Sequence, residues 1–237
     1  MNFKMGKAIF GGIFVLAGVL GLAWQVQAKE AAATYQRIAP IEQYLMDRNA
    51  EIELARSSAP QSISRDAQIL VLGRHGYETA VKGSNGFVCL VERSWMSPYN
   101  EAEFLNPDQR APLCLNPAAV KSHMAFTNKS TELALAGLSK TQMFDALKAA
   151  YDKKQLPLPD PGAMCYMMSK QQYFSAKDKN ADPHLMFWFP QAANITWGAG
   201  LHGSPIYVHQ DSPDPITTFI IPALTWSDGS PNLVDGH

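Results

Sequence analysis

Apolar residues follow a helical period in the part of the chain that begins at residue 29. Ile41, Leu45 and Ile52 lie close to one stripe at a period of about 3.6 residues. Pro40 suits the first turn of a helix, so we expect a break or kink just before it. The pattern predicts an N-terminal helical segment over residues 29–60.

Shorter apolar runs then predict strands. Residues 69–72 are apolar and are followed by Gly73, which is typical of a buried strand that leaves into a loop. Residues 79–82 and 87–93 flank the sequence Gly-Ser-Asn-Gly. Because Asn-Gly supplies the positive φ angles of a tight turn, we expect a β-hairpin here. Both faces of the second strand are largely apolar, which predicts a central strand.

A long loop and then helices are predicted for the middle of the chain. Residues 94–116 are rich in Pro, Asn, Asp and Ser around aromatic residues, which indicates an ordered surface loop. Asn116 before a proline predicts a short helix that ends near Met124. Ser139 and Gln142 have the spacing of a capping box before an apolar stripe, and they predict the clearest helix of the chain.

The last third returns to strand-like runs at residues 163–168, 184–189 and 216–226. Pro222 interrupts the last run, which argues for a sheet edge or a bulge there. Helices are grouped in the N-terminal and middle parts, and strands elsewhere are joined partly by hairpins. This order predicts an α+β fold with a mainly antiparallel sheet, an N-terminal helix and a mid-chain helical segment. We expect residues 61–237 to form one domain.

The N-terminus has the pattern of a secretory signal peptide over residues 1–28. Lys4 and Lys7 make the start positive, residues 8–24 are uncharged and apolar, and small residues precede the end at Ala28. The alternative is a retained single membrane anchor. Both interpretations imply export, so we expect a periplasmic or secreted protein with no membrane contact once the leader is cleaved.

Composition limits the functional classes. The chain is 46% apolar and 17% charged, and 20 Lys and Arg residues against 21 Asp and Glu residues give a formal net charge of −1. Such a chain is globular, and the near-zero balance provides no basic surface for nucleic acid. We therefore expect a small molecule or a protein as partner, and we assign no cofactor and no resident metal.

Three cysteines, Cys89, Cys114 and Cys165, are an odd number for an oxidising compartment. The simplest arrangement is one disulfide and one buried thiol. We prefer a Cys89–Cys114 bridge, because it would tie the predicted hairpin to the long loop, although the sequence leaves the connectivity open.

The residues Arg74-His75-Gly76 follow a predicted strand and resemble the N-terminal motif of the histidine phosphatase superfamily. The resemblance implies that His75 is a phosphorylated nucleophile and that Arg74 clamps phosphate, which suits an imidazole and a planar guanidinium. The alternative is an ordinary Arg and His at a strand-to-hairpin turn. A hydrolase centred here would take its proton donor from Glu78 or Glu92 and its second imidazole from His184 or His202.

Soft metal ligands are concentrated in the last third of the chain. Thioether, thiolate and imidazole groups together are what Cu(I) prefers. Strand alternation places Met164 and Met168 on one face and Cys165 and Met167 on the other, so the whole set cannot converge without a bulge. The alternative is methionine that fills a core. The set comprises Met164, Cys165, Met167, Met168, His184 and Met186.

Aromatic residues in two Pro-rich stretches are candidates to line a ligand groove, because aromatic rings offer large contact areas to sugars, lipids or peptides. The alternative is burial in an ordinary core. The candidates are Trp95, Tyr99, Trp188 and Trp197.

Three longer runs, at residues 73–83, 87–95 and 161–170, are similar to those of a group of exported bacterial proteins with no assigned activity. The resemblance extends over most of the chain after the leader. It implies secretion and a bacterial host, and it implies no substrate or site. The leading hypothesis is an exported α+β protein that binds a small molecule or partner through its long loops. A hydrolase at Arg74 and His75 and a copper-binding protein are the alternatives.

Overall fold

The structure, a computed structural model, describes residues 35, 37–174, 182–191, 197–210 and 214–233. The predicted signal peptide, residues 1–28, and the first part of the predicted helical segment lie outside these residues. Within the described ranges, no helix has both the length and the apolar character needed to cross a membrane.

Four α-helices and two 3₁₀ turns form in the described chain, and several begin at side-chain caps. The Asp47 side chain accepts from the backbone N–H groups of the first helix, and Ser139 and Gln142 form the predicted capping box. The helices are α1 (Arg48–Arg56), α2 (Gln61–Ser64), α3 (Pro117–Leu135) and α4 (Lys140–Asp152), and the 3₁₀ turns are Ile41–Gln43 and Ser94–Met96.

In the described residues, eight strands build one sheet in the order β2-β1-β3-β4-β5-β6-β8-β7. All neighbouring strands are antiparallel except β1 and β3, which are parallel. The α+β fold with a mainly antiparallel sheet is confirmed. The strands are β1 (Gln68–Gly73), β2 (Gly76–Val81), β3 (Val88–Glu92), β4 (Ala111–Leu115), β5 (Met164–Met167), β6 (His184–Pro190), β7 (Tyr207–His209) and β8 (Ile216–Pro222).

The hairpin predicted across residues 83–86 is wrong. β2 pairs with β1 through the tight turn that follows Gly73, and β3 lies on the other side of β1. Residues 83–86 instead pass the start of β1, where the Ser84 N–H donates to the Asp66 carbonyl over 2.8 Å. A hairpin across residues 83–86 would have paired β2 with β3. In the structure, β1 is the strand that pairs with β3 on that side. The expectation that β3 is a fully buried central strand is confirmed.

The first predicted helix is interrupted in its described part. The chain forms only a 3₁₀ turn after Pro40, and α1 begins at Arg48 because Asp47 caps it. The break expected just before Pro40 is present, since no regular structure is assigned to residues 37–40. The described part of the predicted helical segment therefore contains a 3₁₀ turn and α1 in place of one helix after Pro40.

Two further predictions needed correction. The predicted loop 94–116 ends in β4, whose five residues are all buried. The helix after Asn116 continues past Met124 to the end of α3, although its second half is rich in polar residues. Buried Thr131 shows how this half is accommodated, because its hydroxyl donates to a backbone carbonyl one turn earlier in the helix.

Helices cover both faces of the sheet. On one face, α3 and α4 pack over the central strands with Tyr44, Trp95 and Leu147 in the core. On the other face, α1 packs against Cys89 and Cys114. These two cysteines are direct partners in β3 and β4 and form a disulfide, which confirms the predicted bridge, and Cys165 is a buried free thiol. Pro222 is the last residue of β8. It lies two residues beyond Ile220, where the pairing of β8 with the edge strand β7 ends, so its missing N–H breaks no bond to β7.

Candidate functional site

A cavity of about 360 Å³ lies on the sheet face that carries α3 and α4. Strand alternation supplies much of its wall, because every second residue of β6 and β8 faces the same side. The wall also takes residues from α3 and from the loop after β3. The main apolar lining residues are Met96, Phe126, Met186, Trp188, Ile216 and Ile220.

Glu92 and His123 form a hydrogen-bonded pair at this cavity. Glu92 is the last residue of β3, and its Oε1 lies 2.7 Å from Nε2 of His123 on α3. One helical turn further on, the Thr127 hydroxyl donates to the same oxygen over 3.1 Å. The imidazole also stacks on the Trp188 ring, with centroids 4.5 Å apart and planes 26° from parallel. The His123 ring is therefore fixed by a bond at its edge and by a ring at its face.

The hydrogen bond to Glu92 also decides which nitrogen of His123 is available. A carboxylate oxygen only accepts, so His123 Nε2 donates to it. In a neutral imidazole the other nitrogen, Nδ1, is then an acceptor. Within the part of the chain that the structure describes, Nδ1 has no hydrogen-bond partner. This leaves a polar group for a molecule in the cavity.

Arg93 borders the cavity, but its charge is already compensated. Its Nη2 donates to Oε1 of Glu51 over 2.8 Å, its Nε donates to the Tyr44 carbonyl, and both members of the ion pair are buried. The Leu72 N–H donates to the same Glu51 oxygen over 3.1 Å. Arg93 therefore anchors the loop that leaves β3, and it presents no uncompensated cation to the cavity.

Two tyrosines, Tyr99 and Tyr151, line the cavity with their rings. Their hydroxyl oxygens are buried and have no hydrogen-bond partner among the described residues. Burial raises the pKa of both phenols, and the nearby Asp214 carboxylate raises the pKa of both further. Both side chains are therefore neutral up to strongly alkaline pH.

His184 lies at the start of β6, with its ring on the wall of the cavity. Its Nδ1 lies 2.7 Å from the Asp182 carbonyl oxygen, and burial lowers the pKa of the imidazole. The facing residue on β5 is Met167, and Met186 follows two residues along β6, so both thioethers line the same cavity. The structure thus brings together part of the soft set that the sequence indicated.

The remaining members of that set lie elsewhere. Met164 has the opposite parity on β5, which directs it to the other face. Met168 follows the strand, where its N–H donates to the Ser58 carbonyl. Cys165 shares the face of Met167 but is fully buried, and burial and the nearby Glu92 charge raise the pKa of its thiol. We expect Cys165 to be an inert core thiol.

The first residues proposed for hydrolase chemistry lie outside the cavity. Arg74 and His75 form the exposed turn between β1 and β2, and the Arg74 guanidinium is hydrogen-bonded to Glu42. His202 is exposed in the loop before β7. None of these three predicted residues is among the residues that line the cavity.

The proposed proton donors and the other imidazole are divided between two places. Glu78 is exposed on β2 and forms an ion pair with Arg48 over 2.6 Å. Glu92 and His184 line the cavity. The structure therefore brings together two of the six residues proposed for the hydrolase.

The four candidate aromatic residues also separate. Tyr99 and Trp188 line the cavity. Trp95 is fully buried in the core, where its indole N–H donates to Thr131. Trp197 is 40% exposed and stacks on Phe219, which lies on the opposite face of β8 from the cavity.

Sequence reasoning missed His123 and Tyr151. If the sequence analysis had extended α3 past Met124, His123 and Thr127 would have been placed one turn apart on one helix face. This spacing is the local signal that could have indicated that the two side chains act together.

No group of three or more His, Cys, Asp and Glu residues in the described ranges is arranged to hold a metal ion. Comparisons with protein-family models, curated proteins and solved structures give no match to the chain.

Proposed function

We propose that this protein binds a small, largely apolar molecule in the cavity, with His123 as its main polar contact. The observation that carries the proposal is an apolar cavity with a fixed imidazole, held by Glu92 and Trp188, whose Nδ1 has no partner among the described residues. Binding sites for small molecules have this character, with mostly apolar walls and few, well-placed polar groups.

The size and charge of the cavity limit the ligand. About 360 Å³ is at the lower end of the range of about 300–1,000 Å³ found for ligand pockets, which favours a compact molecule. Arg93 lines the cavity, but its charge is already paired with Glu51. Because burial of an anion requires an opposite charge and this guanidinium is compensated, the site favours a neutral ligand.

We further propose that the protein acts after export, in the periplasm or outside the cell. The Cys89–Cys114 disulfide supports this location, because disulfides persist in oxidising compartments and are rare in the cytosol. The hydrolase hypothesis at Arg74 and His75 stays a prediction, and loss of phosphate-ester turnover in a His75→Ala variant would support it.

The binding proposal is tested with the neutral fluorophore phenyl-naphthylamine, titrated into the full chain. We expect saturable binding that fills the cavity and quenches Trp188. A Thr218→Phe variant places a ring into the cavity from β8 and should abolish the signal. Ile221→Phe is the matched control, because it adds a similar ring to the opposite face of the same strand.

Either of two results would overturn the proposal. One is the absence of saturable binding to the wild-type protein, and the other is equal binding by the Thr218→Phe and wild-type proteins. The anionic fluorophore anilinonaphthalene sulfonate serves as the charge control, and we expect it to bind more weakly than the neutral probe.

A further inference from the structure

Three soft donor groups occupy one patch of the cavity wall, on β5 and β6. Met167 and His184 are direct partners in the antiparallel ladder, and Met186 lies two residues beyond His184 on the same strand. Residues that face each other and residues two apart share a face, and all three line the cavity. The patch is therefore a consequence of strand register.

The spacing of the three residues suits a shared ion. Side chains directly opposite each other in an antiparallel pair have Cβ atoms about 5 Å apart, and residues two apart along a strand are separated by about 7 Å. Methionine has three rotatable bonds, so a thioether can move to meet a ligand from such positions. The patch borders open cavity space, which gives an ion a path of entry.

The hydrogen bond of His184 leaves the correct nitrogen available. A carbonyl oxygen only accepts, so Nδ1 carries the proton that is donated to Asp182 over 2.7 Å. Nε2 then carries the lone pair. Metal-ligating histidines usually have this arrangement, in which a backbone carbonyl fixes the ring orientation and the tautomer.

We propose that Met167, His184 and Met186 form a binding site for Cu(I) in the cavity wall. Two thioethers and one imidazole select a soft monovalent ion. No group of three His, Cys, Asp and Glu residues within the described ranges offers a site for a harder ion. The proposal does not depend on the small-molecule function, because it concerns one wall and a different ligand.

The test is anaerobic titration of the full chain with Cu(I) in competition with the chromogenic chelator bicinchoninate. We expect the wild-type protein to retain copper, and Met167→Leu and Met186→Leu variants to lose it. Met164→Leu is the matched control, because Met164 lies on the opposite face of the same strand. These exchanges conserve volume and are expected to preserve the fold, which circular dichroism verifies.

The cysteine gives a second control. A Cys165→Ser variant should retain copper, because the proposed site does not use the thiol. Failure of the wild-type protein to compete with the chelator would overturn the proposal. Copper retained by every methionine variant, or lost only on removal of Cys165, would also overturn it.

A measurement on the wild-type protein removes any dependence on variant folding. In protein with isotope-labelled methionine methyl groups, Cu(I) should shift the nuclear magnetic resonance signals of Met167 and Met186 and leave that of Met164 in place. Equal shifts at all three methyl groups would contradict the site.

Discussion

His123 Nε2 lies 2.7 Å from Glu92 Oε1, which joins α3 to the end of the central strand β3. The Glu92 carboxylate is buried, and its second donor, Thr127, belongs to the same helix. α3 therefore supplies both hydrogen bonds that compensate for the burial of this charge. The same contact presents His123 to the cavity, so the stability of this region and the geometry of the candidate site depend on one pair.

Replacement of His123 by Leu should therefore destabilise the protein. The change leaves a buried carboxylate with one donor fewer, which is expected to lower the free energy of unfolding by about 1–3 kcal/mol. Urea unfolding measures the effect. In a Glu92→Gln background the same replacement should cost less, because no buried charge is left uncompensated. Equal costs in the two backgrounds would show that the pair is not coupled.

The Arg93–Glu51 ion pair should be more sensitive, since both side chains are almost fully buried. An Arg93→Met variant leaves the Glu51 carboxylate uncompensated, and we expect a loss of about 3–5 kcal/mol in the free energy of unfolding. Arg48→Met is the matched control, because Arg48 pairs with Glu78 at the surface. Similar unfolding midpoints for the two variants would refute the role assigned to the buried pair.

Local patterns were sufficient to predict several elements and the fold class. The capping box of Ser139 and Gln142 is satisfied by contacts three residues apart, so α4 could be predicted from the sequence. The preference for Cys89–Cys114 was correct, although its reason was not, because the bridge joins paired strands and ties no hairpin to a loop.

Long-range pairing was not predictable in the same way. The Gly-Ser-Asn-Gly segment satisfies the local rule for a hairpin, yet β3 pairs with β1, whose register depends on residues far away in the sequence. The site shows the same limit. Glu92 and His184 are candidates for the hydrolase, and Tyr99 and Trp188 are candidates for the ligand groove. Only the folded sheet shows that all four share a cavity. Apart from its spacing of one helical turn from Thr127, nothing in the sequence around His123 distinguishes it from an ordinary helical histidine.

Alkaline pH should destabilise the protein through its buried tyrosines. Burial raises the pKa of Tyr77, Tyr99 and Tyr151 in the folded state, whereas a tyrosine in the unfolded chain has a pKa of about 10. The stability that these groups contribute is complete below about pH 10 and is lost as the pH rises through their folded pKa values.

Absorbance of the tyrosinate form measures this directly. We expect the native protein to show a late-titrating group of tyrosines, and the same protein in denaturant to titrate in one step. A Tyr151→Phe variant should reduce the late amplitude. A single step near pH 10 in the native protein would contradict the burial of these phenols.

The cysteines should report the state of the fold in three steps. Cys165 is fully buried and burial raises its pKa, so a thiol-reactive reagent should find no reactive group in the native protein. After unfolding without reductant, one thiol should react, and after reduction all three cysteines should react.

Reduction should also lower the free energy of unfolding by about 3 kcal/mol, because the bridge closes a loop between residues 25 apart. Cys165→Ser should remove the thiol of the unfolded protein and keep the effect of reduction, and a variant that loses that effect would show that the bridge involves Cys165 instead.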